Sequence, residues 1–487
     1  MSAEVKNSAE TEQMQGNVTA SERKQTTGQD KSGSEKSSKT KKVSLPKDYD
    51  INKALWITTI SYLLCQLIFH GMARIDNGDD IAFFATSWTD FSLPDYWEYS
   101  WYKWGARLIV NTLTSLFCYL PHWIWRITDI GLLMLLHVSL TRILKWEKKP
   151  GAQSLLFMGM LSVPFWQWKS AGWIATTTNY FWTTALAVYV CWMLVAQLRK
   201  EKVAWFHYVF FLPAFLIATD AELILAMMIA AVATVMILSL KRDKRITAFQ
   251  VIFLILSVLK LIMILECPGT GFRGYTGEAV FFPGFEAIGL FGKIYIGFTN
   301  TWDSLMVPHL IWIPLMFCVM LIVAVFKSQK DPVIRIVSVM PGAFFLLTIL
   351  MDTAAHLRLM SSFIPHTAYI QASNMYAPVA YRRFFIYMFL SGCLFAATFY
   401  SSKDWKEGLK RTLILFFACT TGVATGLSSS VYISYYRPVI YLMFVMLALF
   451  AMMGEEHRGK WRLPLLVILY GGAILHNIYC YFFAYYT

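Results

Sequence analysis

About a dozen apolar segments, most of them long enough to cross a lipid bilayer, constrain the fold of this 487-residue chain more than any motif. Hydrophobic residues make up 57% of the sequence and charged residues 15%, against about 25% charged residues in soluble domains. A hydrocarbon core about 30 Å thick needs roughly 20 apolar residues per helix, and Trp302–Phe326 and Leu463–Tyr485 meet that length. We therefore expect an all-α fold, a polytopic bundle of transmembrane helices embedded in the bilayer of a cell membrane.

The first 47 residues differ in composition from the rest of the chain. Ser, Thr, Gln, Gly, Lys and Glu dominate them, so residues 1–47 cannot bury enough apolar surface to fold. They also lack the apolar core of a signal peptide. The sequence predicts a disordered cytoplasmic tail at 1–47 and one transmembrane domain at 48–487. A regulatory or partner-binding role for the tail is the alternative.

The net charge of +13 is carried mainly by short connectors between apolar segments, which is typical of cytoplasmic loops in membrane proteins. No basic face is interleaved with stacking aromatic residues, so a nucleic-acid partner is not expected. The eight cysteines are scattered singly, and their spacing predicts neither a disulfide framework nor a zinc site.

Placing every basic connector on the cytoplasmic side gives about 13 spans, within a range of 12 to 14. The N-terminus is then cytoplasmic and the C-terminus extracytoplasmic. Pro121 divides the region 104–144, and we expect the shorter piece, 104–120, to be re-entrant or interfacial. The predicted spans are 55–72, 123–144, 154–167, 181–198, 203–219, 221–240, 247–265, 303–326, 334–352, 379–400, 409–427, 436–453 and 462–484.

Acidic residues follow two of these spans on the predicted extracytoplasmic face. Asp79 and Asp80 form a pair suited to general-base catalysis or to holding a divalent cation near a phosphate. An acidic turn that caps a helix is the alternative. Asp220 and Glu222 lie in a tight helical hairpin, where turn chemistry alone also explains polar residues.

Three arginines on the same face are candidates for binding phosphate. Arg107 lies in a largely apolar stretch, and its alternative is a structural salt bridge to Asp79 or Asp80. Arg273 belongs to the glycine-rich segment 266–274, read as a turn whose backbone N–H groups cradle a phosphate. This segment lacks the Gly-Lys-Ser/Thr ending of a Walker loop. Arg437 begins a late span, and His366 is a weak candidate for which a surface position is favoured.

Several short motifs follow one another along the chain. They are the acidic pair after the first span, Trp104-Gly105-Ala106-Arg107, Asn179-Tyr180-Phe181-Trp182, the hairpin acid Glu222 and Pro268-Gly269-Thr270-Gly271-Phe272-Arg273. Their order resembles that of bacterial multi-pass membrane proteins similar to Gtr-type glucosyltransferases, within the broad GT-C group. The resemblance covers about Leu55 to Tyr436. Ala106 separates Gly105 from Arg107 where the family has Gly-Arg, and Thr270 replaces its usual Asn.

The resemblance implies a GT-C-like membrane glycosyltransferase that moves a sugar from a polyprenyl-phosphate carrier to a glycan or polymer of the cell envelope, on the outer face. A divalent metal, Mg²⁺ or Mn²⁺, is an expected cofactor. The implied roles are catalysis for Asp79, Asp80 and Glu222, donor-phosphate binding for Arg107, Arg273 and Arg437, sugar binding for Asn179, Tyr180 and Trp182, and metal binding for Asp80 and Glu222.

A transporter or flippase for a lipid-linked or small polar substrate is the alternative function. That function needs polar groups at mid-bilayer in several spans, for which Lys260 and His309 are the few candidates. A purely structural scaffold explains the basic connectors but not the acidic, arginine and tryptophan residues of the opposite face.

Overall fold

A computed structural model describes residues 51–75, 78–356, 374, 377–434 and 436–482. The described residues form helices and their connections, and contain no strand; a single β-bridge among them joins Ser170 to Gly172. The all-α class predicted from the sequence is confirmed. The predicted tail, residues 1–47, and His366 lie outside the described residues.

The described helices follow one another along a single compact unit, Asp50–Thr487. Three π-helical turns interrupt them at Asp80–Phe84, Ser100–Trp104 and Thr177–Trp182, and two 3₁₀ turns lie at Thr425–Leu427 and Arg437–Val439. The α-helices are Ile51–Met72, Ala85–Asp90, Leu93–Tyr99, Leu108–Tyr119, His122–Leu144, Pro150–Leu161, Phe165–Trp168, Trp173–Thr176, Thr183–Leu198, Trp205–Ala218, Glu222–Asp243, Ala248–Leu265, Pro268–Phe281, Leu290–Leu305, Trp312–Ser328, Pro332–His356, Pro378–Tyr400, Trp405–Ala424, Val431–Ser434, Ile440–Glu456 and Arg462–Phe482.

Several of these helices are long and apolar enough to cross a membrane, which identifies a membrane protein. Within the described residues there are nine by length and composition, and three shorter apolar helices accompany them, Leu108–Tyr119, Trp205–Ala218 and Trp312–Ser328. The nine are Asn52–Met72, His122–Leu144, Trp173–Leu198, Glu222–Asp243, Ala248–Leu265, Pro332–Met351, Tyr381–Tyr400, Arg437–Glu456 and Arg462–Tyr479.

Two predicted spans differ from the structure because prolines interrupt them. The predicted span 303–326 is split between Leu290–Leu305 and Trp312–Ser328, with Pro308 in the connection. The predicted span 154–167 ends as a helix at Leu161, shortly before Pro164. Proline lacks the N–H of the helical ladder and disfavours helical geometry in the residue before it, so apolar composition alone does not make these segments continuous.

The region 104–120 contains a helix of 12 residues, Leu108–Tyr119, which we call the short helix. At 1.5 Å per residue it is about 18 Å long, well below the thickness of a hydrocarbon core. This helix alone is therefore too short to cross the hydrocarbon core of a bilayer. A re-entrant or interfacial segment has the same property.

Two long helices lie at the centre of the bundle. We call the helix Trp173–Leu198 the central helix. In this helix, and also in Arg437–Glu456, 72% of an 18-residue apolar stretch is buried inside the protein, against 17% in Asn52–Met72. The central helix contains the π-helical turn Thr177–Trp182 near its start. Both helices begin next to the cavity described below.

Candidate functional site

A cavity of about 170 Å³ lies where the central helix, the short helix and Arg437–Glu456 begin. Each of the three π-helical turns contributes side chains to it. Such turns are rare and recur at functional sites. The lining residues are Asp79, Phe83, Phe84, Trp104, Arg107, Asn111, Ala171, Ala175, Asn179, Tyr180, Arg273 and Arg437. Six of the nine residues predicted for the site are among them.

Asp80 does not line the cavity but holds the beginning of the central helix. Its carboxylate accepts hydrogen bonds from the backbone N–H of Ala175 at 2.7 Å and of Ile174 at 3.0 Å. The side chain is 1% exposed, and burial raises the pKa of Asp80 to about 6, although the two N–H donors favour the charged form. Asp80 thus satisfies backbone donors that a helix N-terminus leaves without intrahelical partners.

Gly172 makes this capping possible. Its φ is +112°, and a Cβ atom built on it would lie 2.5 Å from Cγ of Asp80. Only glycine combines that backbone conformation with room for the carboxylate. The glycine before the central helix and the buried aspartate therefore form one structural unit.

Asp79, the neighbour of Asp80, faces the cavity instead. Its own N–H donates to the carbonyl of Ala171 at 2.7 Å, while the side chain is about half exposed. Oδ2 of Asp79 lies 3.9 Å from Nη1 of Arg437. Partial burial raises the pKa of Asp79, and the charge of Arg437 offsets part of that rise. Of the predicted acidic pair, Asp79 is the carboxylate that lines the cavity.

Arg107 pairs with Glu222 rather than with Asp79 or Asp80. Nε lies 2.9 Å from Oε2 and 3.1 Å from Oε1, and Nη2 lies 2.5 Å from Oε2. Burial alone would lower the pKa of Arg107, but the charge and hydrogen bonds of Glu222 raise it above its usual value. Arg107 therefore stays charged beside the cavity, with its guanidinium fixed in direction by Glu222.

The other acid of the hairpin, Asp220, caps the short helix. Oδ2 of Asp220 accepts from the N–H of Val110 at 2.7 Å, and Oδ1 lies 2.5 Å from Nζ of Lys260. Asp220 is fully buried, and Lys260 provides its counter-charge. The hairpin thus positions the start of the short helix through Asp220 and its arginine through Glu222.

Arg273 lies on the helix Pro268–Phe281, not in the turn predicted for the segment 266–274. Pro268 occupies the first turn of this helix, where its missing N–H costs little, so the segment is helical and is not the predicted turn. Gly269 lets the helix pack against the π-helical turn Ser100–Trp104, since a Cβ on it would lie 2.6 Å from the carbonyl oxygen of Trp101. The contribution of this segment to the cavity is therefore the guanidinium of Arg273.

The guanidinium of Arg273 has no carboxylate partner among the residues that the structure describes. It lies over the ring of Trp104, with 5.4 Å from Cζ to the ring centroid. Burial lowers the pKa of Arg273, and the nearby charge of Arg107 lowers it further, which shows that the surroundings disfavour another cation. A partly buried arginine in this state is stabilised by an incoming anion.

Arg437 completes the polar lining at the start of its helix. The side-chain amide of Gln167 donates to the carbonyls of Tyr436 and Arg437, at 3.1 and 2.9 Å, and so fixes the backbone there. The charged residues that line the cavity are three arginines and one carboxylate, Asp79, so the formal charge of the lining is positive. The arrangement favours an anionic ligand.

The predicted sugar-binding residues divide between two locations. Asn179 and Tyr180 line the cavity, but Trp182 does not. The indole N–H of Trp182 donates to Oδ1 of Asp129 at 2.6 Å, inside the bundle. Trp182 therefore faces the helix His122–Leu144, on which Asp129 lies, and its placement does not serve the predicted role.

Two polar features of the structure were absent from the sequence predictions. Asn111 lines the cavity, and it follows Arg107 by four residues, which places both on one face of the short helix. A polar residue at that spacing in an otherwise apolar stretch is the signal that could have identified it. His70 and Asp129 form a buried pair at 2.8 Å within two membrane-spanning helices, where an ionisable residue always needs a partner.

The carboxylates predicted to share a divalent metal have other partners in the structure. Asp80 is bonded to backbone N–H groups and Glu222 to Arg107. Among the described residues no three of the types His, Cys, Asp and Glu come together as a metal site. The donor set of the described residues therefore does not fit the predicted Mg²⁺ or Mn²⁺ ion.

Comparison of the chain with models of known protein families, with curated proteins and with solved structures gives no match.

Proposed function

We propose that the protein is a membrane glycosyltransferase that transfers a sugar from a polyprenyl-phosphate carrier to a glycan of the cell envelope. The observation that carries the proposal is the convergence of one carboxylate, Asp79, and three arginines on a single cavity. Asn179 and Tyr180 add hydrogen-bonding groups to the same lining. In this proposal the chain crosses the membrane about 13 times in a GT-C-like arrangement, and the cavity lies on the extracytoplasmic side.

The arginines supply the binding of the donor phosphate. Arg273 has no carboxylate partner among the described residues, and the pairing of Arg107 with Glu222 uses Nε and one terminal nitrogen. The guanidinium groups can therefore direct N–H donors at phosphate oxygens from more than one side. This interaction strengthens as the phosphate leaves, because its negative charge grows in the transition state.

Asp79 accepts the proton in the proposed reaction. A hydroxyl oxygen of the acceptor attacks the anomeric carbon of the sugar, and its proton passes to the carboxylate of Asp79. The bond from the anomeric carbon to the phosphate oxygen breaks, and polyprenyl phosphate leaves with that electron pair. The raised pKa of Asp79 brings it closer to neutral pH, which suits a general base.

The alternative, transport or flipping, rested on Lys260 and His309. Lys260 is the counter-ion of Asp220 and belongs to the support of the short helix. Burial lowers the pKa of His309 to about 4, so this histidine is neutral at ordinary pH. Neither residue lines the cavity. The two residues on which the alternative rested therefore give no support for transport through this cavity.

Glycan analysis of cells that produce variant proteins at equal levels tests the proposal. Asp79→Asn removes the base, and we expect transfer to fall by about 10²–10⁴-fold, seen as loss of one sugar from an envelope polymer. Asp90→Asn is the matched control, since Asp90 is an exposed carboxylate of the same region that does not line the cavity.

Arg273→Gln is expected to cause the same loss, whereas Arg382→Gln, at an exposed arginine outside the cavity, is expected to leave the glycan intact. An unchanged glycan profile in both cavity variants, at equal protein levels, would contradict the transferase and favour transport.

A further inference from the structure

The amide of Asn111 has no hydrogen-bond partner among the described residues, although its side chain is buried. The residue is 2% exposed, and its Nδ2 is enclosed without an acceptor. Most buried polar atoms in proteins are hydrogen-bonded, so each exception needs an explanation. Because Asn111 also lines the cavity, the missing partner points to a molecule that binds there.

The position of Asn111 relative to the arginines indicates which part of a ligand it meets. Asn111 lies one helical turn after Arg107, and therefore farther from the N-terminus of the short helix. Asn179 lines the same cavity from the central helix, and its Nδ2 donates a hydrogen bond to the carbonyl of Ala175 at 3.0 Å. Two amides thus face a space next to the guanidinium groups.

Amides of this kind recognise neutral hydroxyl groups. A hydroxyl both donates and accepts, and an asparagine offers an N–H₂ donor and a carbonyl acceptor. Since neither end of the Asn111 amide is bonded, rotation of the amide presents either atom to the cavity. A phosphate, by contrast, only accepts, and the arginines already supply charged donors for it.

We propose that Asn111 is a specificity-determining residue that binds a ring hydroxyl of the transferred sugar, with Asn179 beside it. The inference rests on the proposed function, because it assumes that the arginines hold the phosphate of the same donor. Asn111 contributes to discrimination between a donor that carries its sugar and a carrier phosphate that does not. A site built to hydrogen-bond a hydroxyl disfavours ligands that lack it.

The proposal makes an unusual prediction about stability. Replacing Asn111 with the similarly sized Leu removes a buried donor that has no partner, so the unfolding temperature of the ligand-free protein stays the same or rises. Asn477 is the matched control, since it is equally buried but its Nδ2 donates to the carbonyls of Ser162 and Val163 at 3.3 Å. Asn477→Leu is expected to lower the unfolding temperature.

The binding test uses the full chain in lipid nanodiscs. The probes are methyl farnesyl phosphate, a phosphodiester with the same single negative charge as a sugar donor, and the conjugates of farnesyl phosphate with glucose, galactose, mannose and N-acetylglucosamine. We expect the wild type to bind at least one conjugate about fivefold or more tightly than methyl farnesyl phosphate, as one added neutral hydrogen bond provides. Asn111→Leu abolishes that advantage and leaves the affinity for methyl farnesyl phosphate unchanged, whereas Asn477→Leu preserves both.

Each contrary result has a distinct meaning. The assignment of Asn111 is overturned if Asn111→Leu weakens the binding of methyl farnesyl phosphate and of the conjugates alike, or if it lowers the unfolding temperature as Asn477→Leu does. It is also overturned if the wild type binds no conjugate more tightly than methyl farnesyl phosphate. Failure of every probe to bind, or binding that Arg273→Gln does not weaken, contradicts the proposed donor site itself.

Discussion

Replacing Gly172 with Ala is expected to destabilise the protein strongly, although it adds only one methyl group. The φ of +112° at Gly172 is nearly closed to residues with a Cβ, and holding alanine there costs about 1–3 kcal/mol. The added Cβ would also lie within 2.5–2.8 Å of three carboxylate atoms of Asp80. Contacts this short force the carboxylate away from the helix N-terminus.

The second cost follows from what Asp80 then loses. Its hydrogen bonds to the N–H groups of Ile174 and Ala175 break, and buried donors without acceptors cost about 1–3 kcal/mol. Together the two effects predict a loss of about 2–6 kcal/mol in the free energy of unfolding. In a chain of this size that is a fall of about 2–6 °C in the unfolding temperature.

Thermal unfolding of the purified protein in nanodiscs measures this effect. Gly392→Ala is the matched control, because Gly392 lies inside the helix Pro378–Tyr400 and a Cβ there meets nothing within 4 Å. That variant is expected to be neutral, or more stable by about 0.5–1 kcal/mol.

A double variant separates the clash from the backbone strain. We expect Asp80→Ala to cost about 1–3 kcal/mol in the wild type but little in the Gly172→Ala protein, where the cap is already lost. Equal unfolding temperatures for Gly172→Ala and Gly392→Ala would refute the reasoning, and full additivity of Gly172→Ala with Asp80→Ala would refute the contact between the two residues.

Three further predictions concern charged groups. Because burial raises the pKa of Asp80 from 3.8 to about 6, the folded state retains a proton that the unfolded state loses, so the free energy of unfolding falls as pH rises from about 4 to 6. Unfolding temperatures across that range should show this slope in the wild type and a flatter one in Asp80→Asn. Arg437→Gln removes the charge that offsets the raised pKa of Asp79. The acidic limb of the pH profile of the transfer rate should therefore move to higher pH. A shift of that limb to lower pH would exclude Asp79 as the base. Lys260→Met leaves Asp220 buried without a counter-ion and should cost about 3–5 kcal/mol of stability, part of which Asp220→Asn in the same chain recovers in thermal unfolding.

Hydropathy predicted the helices well, because the length of an apolar segment directly reflects the membrane thickness it must match. The segment His122–Leu144 was predicted as 123–144, and Ala248–Leu265 as 247–265. The predictions were wrong where a local break interrupts an apolar run, as at Pro308. A single residue there ends a helix without changing the mean hydropathy of the region.

The membership of the cavity was also partly predictable. Arg107 was selected as an arginine in an apolar stretch, Arg273 as part of a glycine-rich segment and Arg437 as an arginine at the start of a late span, and all three line the cavity. Their individual partners depend on how distant segments pack. Nothing local in the sequence indicates that Glu222, and not Asp79, aligns Arg107.

The different positions of the adjacent residues Asp79 and Asp80 also could not be predicted from the sequence. The two carboxylates are equivalent in sequence, yet Asp80 turns towards the central helix and Asp79 towards the cavity. The choice is made by Gly172, more than 90 residues away, which leaves space for one carboxylate at the helix N-terminus. Such a pairing follows from the packed fold and not from either segment alone.

The buried carboxylates also explain why arginines surround the cavity. Helix N-termini are natural anion sites, since their free N–H groups and dipole favour negative charge. Of the three helices that begin at this cavity, two have an N-terminus occupied by a carboxylate of the protein, Asp80 at the central helix and Asp220 at the short helix. Those two anion sites are therefore filled by the protein itself. Arginine side chains remain available for an anionic ligand, and Arg273, which has no carboxylate partner among the described residues, is the one with the most to gain from binding it.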